Sequence, residues 1–222
     1  MKIVKPKELA ERSGINILVH GPSGAGKTVL STTAGEPTLI ISAEGGLLSI
    51  QDAADYIDAV EITDMDSLRQ VFVKLKEGMD YKWVVIDSIS EVGEVLLATE
   101  KAKTRDPRQA YGVLIDEMQR LIRAFRDLPY NVVVTAKQDR QKDEVSGTML
   151  YGPSMPGAKL AIQIPYFFDE VFALRVEKSE EGETYRVLQT ARDIQYEAKD
   201  RSGKLDTYEK PDLAHIRAKI YA

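Results

Sequence analysis

The chain has no cysteine and only two histidines. The first absence excludes disulfides and thiolate metal sites and agrees with a reducing compartment, so a cytoplasmic location is expected. The second leaves little for an imidazole metal centre. His20 and His215 have no ligand partners at metal spacing and read as structural residues. No apolar stretch approaches the length of a membrane span, so no membrane partner is expected. The basic start, Met1-Lys2-Ile3-Val4-Lys5-Pro6-Lys7, lacks the apolar stretch of a signal peptide. Positive charge is also in short supply. A net charge of −5 excludes a globally basic nucleic-acid-binding surface. Any DNA contact must come from a local patch or from assembly. Repeats and low-complexity tracts are absent too.

The residues that are present suit a packed α/β protein. An apolar content of 43% over 222 residues is enough for a sizeable core. One domain is expected over 1–222, its core at about 14–205. Short apolar runs alternate with helix signals. Strands are expected at Ile15–Val19, Thr38–Ser42, Ala59–Ile62, Lys82–Asp87 and Asn131–Thr135. Asp64 looks like the N-cap of a helix running to about Leu75 and stopped near Gly78. Ser88 and Glu91 have capping-box spacing for the next helix. Leu114, Ile115, Met118, Leu121, Ile122 and Phe125 form one apolar helical face over 113–125, ended by Pro129. This alternation predicts a mainly parallel sheet flanked by helices. Farther on, Val171–Val176 and Tyr185–Gln189 flank a charged turn and predict an antiparallel hairpin. Residues 152–159, Gly-Pro-Ser-Met-Pro-Gly-Ala-Lys, read as a turn.

One segment carries most of the chemistry. Residues 21–28 read Gly21-Pro22-Ser23-Gly24-Ala25-Gly26-Lys27-Thr28, a complete G-x-x-x-x-G-K-[ST] phosphate-binding loop between a strand and a helix. Glycines let successive N–H groups point inward at a phosphate. Lys27 can reach the β- and γ-phosphates, and the Thr28 hydroxyl can hold Mg²⁺. The helix opening at Thr28-Val29 adds the positive end of its dipole. The expected ligand is Mg-ATP, on residues 21–29. Asp87 ends an apolar strand, where a carboxylate can hold Mg²⁺ through water. Glu44 follows the second strand, where a carboxylate can orient the attacking water. Glu91 is a rival base. Thr135, Lys137 and Gln138 follow another strand, and Lys137 or Gln138 could sense the γ-phosphate. Ala136-Lys137-Gln138-Asp139 half-matches the guanine-reading N-K-x-D pattern. Its first position is alanine, so adenine is preferred. Lys199 and Arg201 lie two residues apart and could point the same way from a strand. Such a pair could stabilise charge at a neighbouring subunit's γ-phosphate. It could equally be a solvated basic edge.

In order, GPSGAGKT, SAEGG, VVIDS, VVVTAKQ and AKDRSGK resemble the phage nucleotide-binding protein family, the RecA/Rad51-like single-strand annealing ATPases, over about residues 14–205. The resemblance implies a RecA-like ATPase acting in DNA recombination or annealing, in a bacterial host cell. It implies Glu44 as the water-activating glutamate and Asp87 as the Mg²⁺-side aspartate. Lys199 and Arg201 become K-x-R fingers acting across a homo-oligomer interface. Residues 138–158 become a DNA-binding loop for single-stranded DNA, with Arg140, Lys142 and Lys159 set against Asp139, Asp143 and Glu144. Two alternatives stand beside this reading. One is a small-molecule kinase using residues 103–108, Lys-Thr-Arg-Asp-Pro-Arg, as a lid. The other is a non-catalytic, ATP-gated assembly module.

Overall fold

The computed structural model describes residues 14–142 and 147–222. The basic segment at 1–7, and Asp143 and Glu144 of the expected DNA loop, lie outside them. Strand β1 (Asn16–Gly21) leads through the Gly-rich loop into α1 (Lys27–Leu30), which tightens into a 3-10 turn (Ser31–Ala34). The helix is short because Thr32 and Thr33 hydroxyls donate to the carbonyls of Val29 and Leu30, competing with the ladder. Then come β2 (Thr38–Ser42), β3 (Ile57–Glu61), α2 (Met65–Glu77), β4 (Trp83–Asp87), α3 (Ile89–Lys103) and α4 (Pro107–Arg126). Next are β5 (Asn131–Lys142), β6 (Met149–Pro153), α5 (Ala158–Gln163), β7 (Glu170–Lys178) and β8 (Thr184–Gln189). Two short strands, β9 (Lys199–Asp200) and β10 (Tyr208–Glu209), precede α6 (Leu213–Tyr221).

The main sheet runs β10-β8-β7-β1-β5-β4-β2-β3, with β6 on β5 and β9 on β7. From β7 to β3 all pairings are parallel. The pairs β7–β8, β8–β10, β5–β6 and β7–β9 are antiparallel. The expected parallel sheet with flanking helices and a C-terminal hairpin is therefore the architecture. Strand side chains alternate between two cores. Leu18, Leu39, Ile41, Val84 and Ile86 pack with α2, α3 and α4 through Leu68, Leu96, Met118 and Phe125. Ile17, Val19, Ile40, Trp83 and Val85 pack with α1 and α6 through Leu30, Leu213 and Ile216.

Several local expectations shift. The third strand covers Ile57–Glu61 rather than 59–62, because it follows the register of β2 from Thr38↔Ile57 to Ser42↔Glu61. Helix α4 starts at Pro107, not 113, with Asp106 as N-cap accepting from Arg108 N–H at 2.9 Å. Its first turn is polar, so apolar periodicity missed it. Residues 103–108, the suggested lid, are thus the end of α3, a short connection and the first turn of α4. Strand β5 runs on to Lys142, well past Thr135. Its polar half pairs with β6 instead of the core, so apolar patterning could not mark it. Consequently Lys137 and Gln138 lie within a strand, and the expected DNA loop is largely a β5–β6 hairpin. Within 152–159, Gly152 and Pro153 end β6 and Ala158 opens α5; the turn lies between them. Lys199 lies in β9 itself.

Candidate active site

The parallel register places the ends of β1, β2 and β4 beside the middle of β5. Gly21 of β1 is level with Lys137 of β5, and Ser42 of β2 with Asp87 of β4. The loop after β1 therefore opens beside the carboxylate that ends β4. The loop's curvature depends on Gly24 and Gly26, with φ of 74° and 99°. Ala25 is buried beneath it, its N–H donating to Pro22 O at 3.3 Å. Lys27 Nζ donates to the carbonyls of Gly21 and Pro22 at 2.9 and 3.0 Å. Burial pulls the Lys27 ammonium below its ordinary value, while Asp87 and Glu44 oppose that shift.

The decisive contact is between the loop and the β4 carboxylate. Thr28 Oγ1 donates to Asp87 Oδ2 at 2.6 Å. The other oxygen, Oδ1, accepts from Thr135 Oγ1 on β5. Ser88, the next residue, donates to Glu44 Oε1 and caps α3 by accepting from Glu91 N–H. A hydroxyl and a carboxylate oxygen at contact distance beside a phosphate loop are hard donors that suit Mg²⁺. The residues present thus fit Mg²⁺, which Thr28 and Asp87 would hold. When bound, the ion would neutralise phosphate charge. The chain's own contribution is to aim these oxygens and to hold Glu44 one residue's reach from Asp87. Among the described residues no cluster of three or more His, Cys, Asp or Glu could hold a metal.

Glu91 does not complete a capping box. Its carboxylate pairs with Lys137 Nζ at 2.7 Å, and Glu94 joins at 3.3 Å. Those hydrogen bonds and charges outweigh burial and hold Lys137 above its ordinary value. The Lys137 N–H donates to Ser90 Oγ, which in turn donates to Ser154 O. That link ties the middle of β5 to the residue that follows β6, at the base of the hairpin. His20 is fully buried and donates from Nε2 to Glu197 O at 2.7 Å. Burial depresses it to about 4, so it is a neutral structural residue.

Lys199 and Arg201 are not brought to the loop within one chain. Lys199 pairs in register with Val171, which is level with Leu18, three residues before Gly21. That is about 10 Å back along the strands. Lys199 Nζ donates to Pro165 O and Phe168 O, and Arg201 pairs with Asp169 at 2.7 Å. Sequence reasoning missed three residues here. The spacing of Ser88 signals a cap, and nothing in it signals that Ser88 holds Glu44. Ser90 and Arg186, which donates to Ala25 O, carry no sequence signal.

The AAA domain family matches residues 13–202. The chain belongs to the AAA domain family. This AAA-type P-loop ATPase domain matches none of the curated proteins. Among solved structures, a KaiC-like protein from the hyperthermophilic archaeon Pyrococcus horikoshii OT3 is similar at 16% identity. The match covers 84% of this chain and 83% of that one, with a TM-score of 0.49. Membership of the family implies a nucleotide ligand and, typically, Mg²⁺. Among the described residues no helix of this AAA domain is long and apolar enough to cross a membrane.

Proposed function

We propose that this AAA-domain chain is a RecA-like ATPase that acts on single-stranded DNA in recombination or annealing, as a phage nucleotide-binding protein. The observation that carries the ATPase part is the hydrogen bond from Thr28 to Asp87, with Glu44 held alongside by Ser88. In this reading residues 21–29 bind Mg-ATP and Thr28 and Asp87 hold the ion. Glu44 takes a proton from the attacking water. Lys137 senses the γ-phosphate, its pairing with Glu91 and Glu94 giving it an alternative set of partners. Lys199 and Arg201 act on a neighbouring copy's phosphate, since their own loop is on the far side of the strand register. The ordered sequence motifs support the DNA role, and so does a polar hairpin carrying Arg140 and Lys142. Hydrolysis titrated with single-stranded DNA tests the whole reading, with Lys27→Ala as control. Turnover is expected to rise with DNA and to vanish in the control. Turnover indifferent to DNA at any salt concentration sinks the DNA part and leaves the ATPase part standing.

A further inference from the structure

The phosphate loop has a second cation from its own chain. Arg186 belongs to β8, two strands from β1. Leu188 on that strand packs in the same cluster as Ala25 and Leu30. Arg186 is two residues earlier and so shares its face. Its Nε donates to Ala25 O at 2.9 Å. Its stem lies along Gly26, where an added Cβ would come within 3.2 Å of Nε and 3.4 Å of Cδ. The side chain is exposed, and among the described residues no carboxylate pairs with it.

A brace on one carbonyl does not require arginine. The side-chain nitrogen of glutamine stands the same number of bonds from the backbone as Arg Nε. What arginine adds is a charge and a planar pair of Nη groups suited to two oxygens of one anion. A positive charge set at Ala25 and Gly26 of the loop, with no carboxylate partner among the described residues, favours an incoming anion. We propose that Arg186 is a nucleotide-binding residue. Nε anchors on Ala25, and the Nη groups take oxygens of the phosphate chain held by the loop. This rests on the loop at 21–28 being the nucleotide site.

The test measures Mg-ATP and Mg-ADP affinity by calorimetry, alongside urea midpoints without nucleotide. Arg186→Gln keeps a donor for Ala25 O while losing the charge and the Nη pair. It is expected to weaken both nucleotides about 10–100-fold with an unchanged midpoint, as for loss of a charge-assisted contact. Arg186→Lys should recover part of the affinity. Affinities in Arg186→Gln within about twofold of the unaltered protein overturn the inference and leave Arg186 a brace. So does a loss that Arg186→Lys shares in full together with a lowered midpoint. If the unaltered protein binds neither nucleotide, or Lys27→Ala binds them equally well, the loop reading itself fails and takes this inference with it.

Discussion

Asp87 is held from two sides, by Thr28 on the loop and Thr135 on the neighbouring strand. Glu44 is steered by Ser88 rather than by packing, since it lies exposed after β2. Glu44→Gln keeps the shape and a hydrogen-bonding oxygen but loses the carboxylate that the proposed function uses as base. Turnover in single-turnover assays should fall about 10²–10³-fold with Mg-ATP affinity little changed. Equal loss of both would assign Glu44 to binding instead. Glu170 offers a second residue-scale prediction. It is buried at the start of β7, where burial, Asp200 and Asp169 push its carboxyl up to about 8, against a hydrogen bond from Ser202 N–H. Lys199 and Arg201 stand nearby. Between its ordinary 4.5 and about 8, the unfolded chain has lost this proton and the folded chain still holds it. Stability therefore falls as pH rises through that interval. Glu170→Gln should flatten this slope, so the urea midpoint of the unaltered protein should drop relative to the variant between pH 5 and pH 8. His20 has the opposite sign. Its depression from 6.5 to about 4 costs stability as pH falls through that window. A midpoint independent of pH in both the protein and Glu170→Gln would contradict the Glu170 assignment.

At the scale of elements, sequence patterning reached as far as burial did. Thr38–Ser42 is fully buried and its bounds were legible; so was the Asp64 N-cap, whose carboxylate and Ser67 cap each other. The polar half of β5 and the polar first turn of α4 were not legible, because both are held by pairing or capping and carry no apolar period. Lys199 and Arg201 look like a matched pair in the sequence, yet their surroundings differ. Lys199 is half-buried and closes the carbonyls of Pro165 and Phe168, the end of a 3-10 turn (Ile164–Phe167). Arg201 forms an exposed pair with Asp169. Lys199→Met should therefore cost about 1–3 kcal/mol in denaturant unfolding. Arg201→Ala should change it by no more than about 1 kcal/mol. If both act on a neighbour's phosphate, both still lower turnover. The comparison of unfolding with turnover separates the two roles of Lys199.

For the whole molecule, the sheet order decides which charges can meet. One edge of the strands gathers Gly21, Ser42, Asp87 and Lys137. The Lys199 segment lies toward the other edge. Under the proposed function, Lys199 and Arg201, set back from their own loop, act between copies or not at all. Lys27→Ala and Arg201→Ala should each be nearly inactive alone, and a mixture should regain turnover by pairing one intact loop with one intact finger. A mixture no more active than its components would remove the trans role. Specific turnover should also rise with protein concentration. DNA stimulation should weaken steeply with salt, because each phosphate contact releases counterions.

The ligand class and the order of layers are written along the chain. A phosphate loop is a local backbone shape written in eight consecutive residues, and buried strands announce themselves by unbroken apolar runs. The folded arrangement sets Ser88 on Glu44 and pairs Glu91 with Lys137 rather than leaving it to cap α3. It alone set Lys199 and Arg201 away from their own loop and put Arg186 on it. The reason is register. Such contacts depend on which residues of distant strands stand level with one another, and no local pattern along the chain encodes that.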